Sequence, residues 1–391
     1  MKLYDTARRG YAEFKPGRLV GIYVCGITPY DTSHLGHIVT FMTYDLLIRR
    51  LEDLGHEVRL VRNITDVDEP IYKKAQELGV DYKELAKNET SSFQKILEVL
   101  NFKKAYNEPL ASDYIEEMAG AVKELSEGGF AYRVDEDIYF DTQKVNEFKR
   151  FSGYSDKLLD SLSAMRGGDP GRSGKKHPLD FLLWKHVADP ADPAQWKTAV
   201  GTGRPGWHIE CSIMSSQLLG LPFDIHGGGN DLIFPHHSAE IAQNIGMGHQ
   251  DTAGIWLHVA PILWDGEKMS KSLGNLVYAS DLLKTYEPSV IRLALMSYHH
   301  RVGGEWQPEL LGQSQELLDQ VRSKASTSSL QDARTLHESV RRALDDDINT
   351  PEVISALKRF IHAVPDTQAS GSSAEVIETL NLLGLSPGLN V

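Results

Sequence analysis

The sequence predicts an α/β protein whose parallel sheet is assembled from two separated stretches of chain. An α+β insertion lies between them and a helical segment follows. Three observations carry this. Residues 18–66 read strand–helix–strand, the unit of a parallel sheet. Sheet-type runs return only at PFDIHGGG and IWLHVAPILW, beyond a stretch (153–206) rich in Gly, Pro, Asp and Lys. From residue 307 onward the pattern is helical.

Each element follows from its residues. RLVGIYVC (Arg18–Cys25) is a β-branched run entering a glycine, as in a buried strand. After the polar ITPYDTSHLGH, the segment IVTFMTYDLLIRRLEDLG carries apolar residues at helical spacing, with Gly55 as its stop. Glu57–Arg62 is the next strand, running into NITDVDEP. Helical patterns fill about 70–128, and FAYRVDEDIYFDT reads as a hairpin. Residues 153–206 show no sustained period and are expected to be loop-rich, with LDFLLWK as their strand. PFDIHGGG and IWLHVAPILW are each expected to form one strand, and helices follow at about 279–298. The helical tail is jointed at TSSLQDA and TQASGSS. The expected partition is 1–100 with 205–305, an insertion at 101–204, and a helical C-terminal domain at 306–391. A chain of 391 residues is long enough for two or three such units.

Composition narrows the function classes. Lys+Arg 41 against Asp+Glu 54 gives −13, which argues against broad nucleic-acid binding but leaves room for a local basic groove. No run approaches ~18 apolar residues, so no transmembrane helix is expected. The N-terminus leads into no apolar signal region, and the two cysteines, Cys25 and Cys211, form no disulfide framework. A cytoplasmic, monomeric protein is expected.

Two short motifs stand out. His34-Leu35-Gly36-His37 sits between the first strand and helix, where free backbone N–H groups and the helix dipole attract phosphate. Lys268-Met269-Ser270-Lys271-Ser272 follows the turn Asp265-Gly266; two ammonium groups three apart can neutralise a triphosphate and stabilise departing pyrophosphate. Taken singly, a turn with two solvated histidines and a charged surface loop are the plainer readings. Together, flanking a split α/β domain, they are the signature pair of class I aminoacyl-tRNA synthetases.

The resemblance extends along nearly the whole chain. YVCGITPYD, NITDVDEP, GRPGWHIECS, GGGNDLIFPHH and DGEKMSKSLGN resemble blocks of the cysteinyl branch, and still more those of its relative, the cysteine ligase family of mycothiol synthesis. That resemblance implies a class I synthetase-type Rossmann (HUP-like) catalytic domain. It implies Zn²⁺ held by Cys25, Cys211 and His236. Such a site accepts a substrate thiolate in an open position and rejects serine's harder hydroxyl. His236 and Glu240 are four apart, so a helix there puts both on one face. The synthetases have a glutamate ligand at the position of Glu240, whereas the ligases have a small polar residue; weak ligand and plain helix carboxylate both stay open. Without the resemblance, the two distant cysteines read as ordinary buried thiols.

The resemblance also implies that Cys25, Gly26, Ile27, Thr28, Thr40, Asn63, Ile64, Thr65, Trp207, Gly229, Asn230, Asp231 and Ile262 cradle an aminoacyl adenylate. Asp231 would accept from the substrate ammonium, Trp207 would pack over the cysteine, and the glycines at 227–229 would let backbone approach adenosine. His34, His37, Lys268 and Lys271 would stabilise charge as the cysteine carboxylate attacks the α-phosphate of ATP, with Mg²⁺. An amine, that of glucosaminyl-inositol, would then take the acyl group and release AMP. Asp66, Asp68 and Glu210 are the candidates for the base this needs.

Three features favour the ligase over the tRNA-charging enzyme. CGITPYD stands where the synthetase has CGPTVYD. Arg166-Gly167-Gly168-Asp169-Pro170 matches the ligase block ERGGDP, with Met165 in place of its glutamate. The chain also ends soon after DDDINTPEVISALKRF, leaving little room for an anticodon-reading domain. Glu240 and HPLDFLLWK lean towards the synthetase. A non-catalytic paralogue is a third reading, opposed by the intact HLGH and KMSKS.

Overall fold

The computed structural model describes residues 1–30, 34–269, 274–365 and 373–386. The chain begins with a hairpin, β1 (Lys2–Asp5) and β2 (Gly10–Glu13), then enters β3 (Leu19–Ile27), α1 (Leu35–Asp53) and β4 (Glu57–Ile64). The predicted strand–helix–strand unit is therefore present, with β3 and β4 parallel. The structure moves one boundary. His34 is the N-cap of α1 and its side chain accepts from the Gly36 N–H, so HLGH forms the cap and first turn of the helix. Gly55, at φ +89°, follows its end as expected.

Next come α2 (Glu69–Leu78), capped by the Asp68 side chain, and α3 (Tyr82–Val99), capped by Asp81. After α4 (Ile115–Glu127) the expected hairpin forms as β5 (Ala131–Val134) and β6 (Asp137–Phe140). Residues 153–206 hold more order than their composition suggests. Beyond the one-turn α5 (Glu147–Arg150) there is a helix, α6 (Asp156–Met165), then β7 (Phe181–His186), the expected strand, and an antiparallel pair, β8 (Trp196–Thr198) and β9 (Gly201–Pro205). These complete a five-stranded antiparallel sheet in the order β5-β6-β7-β9-β8. The helix escapes a periodicity search because only Leu159 and Ser163 of its ten residues are buried. β8 escapes because it has only three residues, and β9 because two of its five are glycine, so neither shows a run of alternation.

α7 (Trp207–Leu219) leads into β10 (Phe223–Gly229), α8 (Ser238–Gly246) and β11 (Ala253–Val259). All four strands of the central sheet are parallel, in the order β11-β10-β3-β4. IWLHVAPILW is not one strand. It breaks at Ala260-Pro261, and β12 (Ile262–Trp264) joins a separate small sheet with β13 (Glu267–Lys268) and, beyond α9 (Ala279–Leu282) and α10 (Pro288–Leu295), β14 (Gly304–Glu305). Pro261 has no N–H for a ladder, and the Ala260 N–H is diverted to the His300 carbonyl at 2.6 Å.

The tail is helical as expected: α11 (Glu309–Ala325), α12 (Leu330–Asp345), α13 (Thr350–Ala363) and α14 (Ser373–Leu382). Its apolar faces share one core with α1 and one face of the sheet, whereas the other face packs with α4, α7 and the insertion. A buried ion pair pins the first core together. Arg292 of α10 donates to Asp45 of α1 at 2.6 Å and to the carbonyls of Leu100 and Leu383. No described helix is long and apolar enough to cross a membrane.

Candidate active site and metal centre

β3 and β10 lie side by side at the centre of the sheet, with β4 outside one and β11 outside the other. The strand order therefore reverses between them, and in an open parallel sheet the crevice beyond the carboxyl ends at such a reversal is where ligands bind. Cys25 to Ile27 end β3, Gly227 to Gly229 end β10, and α1 starts at the same edge. The glycines earn their places by close approach. A Cβ on Gly26 would lie 1.6 Å from the Asn63 carbonyl oxygen, and one on Gly227 would lie 2.4 Å from the Tyr44 ring. The Tyr44 hydroxyl donates to the Leu257 carbonyl at 2.7 Å and accepts from the Gly228 N–H at 2.6 Å, fixing α1 beneath the crevice.

On the face of the sheet shared with the insertion, four different elements bring the expected metal ligands together. Cys25 comes from β3, Cys211 from the first turns of α7, His236 from the turn before α8, and Glu240 from α8 itself. Their ligand atoms all lie within 4.8 Å of one another, and all four residues are buried. Cys25 Sγ is 3.8 Å from Cys211 Sγ and 3.9 Å from Glu240 Oε1, and His236 Nε2 is 3.2 Å from the same oxygen. Tetrahedral zinc with Zn–S of ~2.3 Å and Zn–N or Zn–O of ~2.0–2.2 Å requires separations of this size. His236 Nε2 is buried and its contact with Glu240 Oε1 is not aligned as a hydrogen bond, while its Nδ1 faces His208 Nδ1 at 2.9 Å, the arrangement by which a second imidazole orients a ligating one. The residues present thus fit a zinc ion. Both cysteines are free thiols.

Sequence reasoning missed the histidine shell around this cluster. His226 Nε2 meets Glu240 Oε2 at 2.7 Å, and His237 Nε2 lies 3.3 Å from Cys25 Sγ. His237 Nδ1 in turn meets His258 Nε2 at 2.7 Å. Cys25, His226, His237 and Glu240 form a second set of adjoining donors. The available signal was a histidine inside an apolar strand run, twice, in FDIHGGG and WLHVA. Burial pushes His208 and His258 down to about 3 and holds His236 and His237 well below the ordinary imidazole value, so these rings are neutral and able to ligate. Burial, then the neighbouring Cys211, raises the Cys25 thiol; a dication reverses that and favours the thiolate.

The residues expected to cradle an adenylate are placed as follows. The Asn63 carbonyl group of its side chain accepts from the Gly26 N–H at 2.8 Å, and its amide donates to Thr65 Oγ1 at 3.0 Å. Thr28 follows directly on β3, and Ile27, Ile64 and Ile262 have buried side chains, leaving only their backbone to face a ligand. Thr40 Oγ1 donates back to the Gly36 carbonyl within α1. Trp207, first residue of α7, stacks on His236 with centroids 4.2 Å apart and planes at 20°. Gly229 ends β10, and Asn230 and Asp231 follow on the rim.

The first signature motif lies against the chain that follows the second. The His34 and His37 rings lie 4.1 Å apart, and His34 forms a β-bridge with Tyr278, a few residues beyond the second motif. Lys268 is exposed on β13 and its Nζ is 2.8 Å from Asp231 Oδ2. Burial works to raise the Asp231 carboxyl, but the Lys268 ammonium and Arg166 together pull the other way and the net position is below the usual carboxylate value. Lys271 lies outside the described residues.

Residues 166–169 of the RGGDP block line a cleft together with Trp207 and Pro235. Arg166 Nη1 donates to the carbonyls of Asp231 and Phe234, tying the insertion to the end of β10. Of the three candidate bases, Asp66 has both oxygens on Ser112, at 2.9 Å from its N–H and 2.5 Å from its hydroxyl. Glu210 is fully buried and, through that burial, raised well above the normal carboxylate value. Asp68 is half-buried at the head of α2.

Comparison with known proteins agrees with this geometry. Residues 13–316 match the family of tRNA synthetases class I (C) catalytic domains. The chain is 41% identical to an L-cysteine:1D-myo-inositol 2-amino-2-deoxy-alpha-D-glucopyranoside ligase of Tsukamurella paurometabola, over 97% of this chain and 94% of that one. It is equally 41% identical to the Nocardia farcinica protein of the same description, over 98% and 94%. Among solved structures, methionyl-tRNA synthetase of Mycobacterium tuberculosis in complex with methionyl-adenylate superposes with a TM-score of 0.64 at 16% identity, covering 94% of this chain and 89% of that one, a likeness of fold. The chain therefore belongs to the class I (C) synthetase catalytic-domain family and, within it, to the L-cysteine:1D-myo-inositol 2-amino-2-deoxy-alpha-D-glucopyranoside ligases.

Proposed function

We propose that this protein is an ATP-dependent, AMP-forming ligase that activates L-cysteine as cysteinyl-adenylate and transfers it to the amine of glucosaminyl-inositol, forming an amide. The observation that carries the cysteine half is the buried Cys25–Cys211–His236–Glu240 cluster at the floor of the crevice. The acceptor half rests on the activity named for relatives about 40% identical over nearly the full chain, and on the RGGDP wall.

In this reading one zinc per chain is held by Cys25, Cys211 and His236, with Glu240 beside them. When bound, it offers a Lewis-acid position that selects a soft thiolate over a hydroxyl. Trp207 closes over the amino acid. Asp231 exchanges its Lys268 partner for the substrate ammonium, which frees Lys268 for the phosphates. His34 and His37, at the positive end of α1, and Lys268 with Lys271 stabilise charge as the cysteine carboxylate attacks the α-phosphate of magnesium-bound ATP and pyrophosphate departs. Gly26, Asn63, Thr65, Thr28, Thr40, Gly229, Asn230 and the backbone at Ile27, Ile64 and Ile262 hold the adenylate. The catalytic unit is 1–100 with 205–305, the insertion 101–204, and the helical unit 306–391.

One observation favours a second reading, cysteinyl-tRNA synthesis: Glu240 stands within the metal cluster, as the synthetase branch would have it. Incubation with ATP, cysteine and either glucosaminyl-inositol or cysteine tRNA, read by mass spectrometry, separates the two. The ligase reading expects the amide and AMP. Cysteinyl-tRNA with no amide restores the synthetase.

A further inference from the structure

A cleft of about 400 Å³ opens between the insertion and the heads of α2 and α7, one aromatic ring away from the metal cluster. That volume is within the range of small-molecule sites. Trp207, stacked on His236, separates the cleft from the ligand set. The opposite wall is the Arg166–Asp169 loop, and Asp68 lies on the rim where α2 begins.

The wall is built to hold its shape. Arg166 ties it to the carbonyls of Asp231 and Phe234. Lys175 Nζ donates to the carbonyls of Gly168 at 2.6 Å and Pro178 at 2.9 Å. A Cβ on Gly168 would meet Ser163 Oγ at 2.2 Å, so the loop can press onto α6 only with glycine there. A pocket beside an adenylate site needs no such fixed wall to make the adenylate; it does need one to orient a second substrate.

We propose that this cleft docks the amino-polyol acceptor and that the Asp68 carboxylate takes the proton from its attacking amine. The inference rests on the ligase reading above. Asp68 fits by geometry. One oxygen caps α2 by accepting from the Glu69 N–H at 2.8 Å, and the carboxylate lies near the Thr28 side chain, just beyond the strand that carries Cys25. It therefore lines the cleft while lying close to the end of the strand that carries Cys25. Burial, then Glu69 of its own helix, raises it to about 6, against the opposing pull of Thr28 and of Arg204 from β9; Glu210 of α7 lies near it beneath the cleft, and Arg166 and Lys185 stand across it. A carboxylate so placed is ionised near neutral pH yet basic enough to accept a proton. In the step, the neutral amine's lone pair forms the C–N bond to the acyl carbon. The acyl C–O bond to the α-phosphate breaks, AMP leaves with that electron pair, and the nitrogen proton passes to Asp68.

The test is Asp68→Asn in the full chain, because asparagine caps a helix as well as aspartate. Two rates are compared: cysteine-dependent pyrophosphate exchange, and single-turnover transfer from enzyme-bound cysteinyl-adenylate to glucosaminyl-inositol. The expected result is a fall of about 10²-fold or more in the ratio of transfer to exchange, with loss of the acid limb near pH 6 from the transfer profile. A variant whose ratio stays within threefold of wild type, or whose acid limb persists, overturns the assignment while leaving the ligase reading intact. A wild-type enzyme that yields no amide overturns both.

Discussion

Replacing Cys211 by serine tests the metal centre at its most exacting point. The two sulfurs are 3.8 Å apart, the separation that two thiolates on one tetrahedral zinc require. Serine changes a soft anionic donor into a neutral hydroxyl on a shorter bond, while Cys211, at 1% exposure, leaves no room for water to take its place. Loss of a mere outer partner of a metal ligand costs 10–100-fold in affinity. Loss of a direct thiolate should therefore cost at least about 100-fold, or ~2.8 kcal/mol. Metal competition against a chelator of known affinity measures this directly. Pyrophosphate exchange should show the KM for cysteine rising by a similar factor while the KM for ATP moves less than threefold, since the proposed phosphate site is at the head of α1 and not over α7. Zinc retained at wild-type affinity, or equal losses for cysteine and ATP, would refute the reasoning and make the cluster a structural one.

Two further outcomes follow from the same geometry. Lys268→Ala should slow cysteine-dependent pyrophosphate exchange by roughly 10²-fold, as expected on removing a donor aimed at developing charge; exchange at the wild-type rate would reduce Lys268 to the partner of Asp231. Asp45→Asn should lower stability by about 3–5 kcal/mol in urea unfolding at pH 7, because it leaves the Arg292 guanidinium buried without its counter-charge. Burial works to raise the Asp45 carboxyl, but Arg292 and Arg49 hold it below its ordinary value of 3.8. Its stabilisation is therefore complete above that ordinary value and is lost only as pH falls through the lower, folded value. A difference between wild type and variant that shrinks already between pH 7 and 5 would contradict this.

What the sequence determined by itself is whatever depends on neighbours along the chain. The β-branched run before Gly26, the 3.6-residue spacing of IVTFMTYDLLIRRLEDLG and the stop at Gly55 suffice for β3 and α1, because backbone sterics and one buried face decide them locally. Block resemblance added the expected ligands, through YVCGITPYD, GRPGWHIECS and GGGNDLIFPHH, each of which reads as a short unit. The break of IWLHVAPILW shows the limit. Pro261 was visible, but that Ala260 would turn to the His300 carbonyl depends on a segment about forty residues further on. β8 was hidden because three residues are too few to show alternation, and α6 because its helix is held by only two buried residues.

Only the tertiary structure decided how the site is put together. Cys25, Cys211, His236 and Glu240 stand on four elements, and no spacing along the chain states that Cys25 Sγ and Cys211 Sγ are 3.8 Å apart. That distance follows from β10 lying next to β3 and from α7 and α8 packing against the same side of the sheet. The choice among three carboxylates was likewise beyond the sequence. Asp66, Asp68 and Glu210 are alike as letters, and it is the Ser112 hydrogen bonds of the first, the complete burial of the last and the open cleft before Asp68 that set their chemistry apart. Residue type and local period are written in the chain. Burial, proximity and hence acidity belong to long-range packing, which brings together groups whose order in sequence carries no distance.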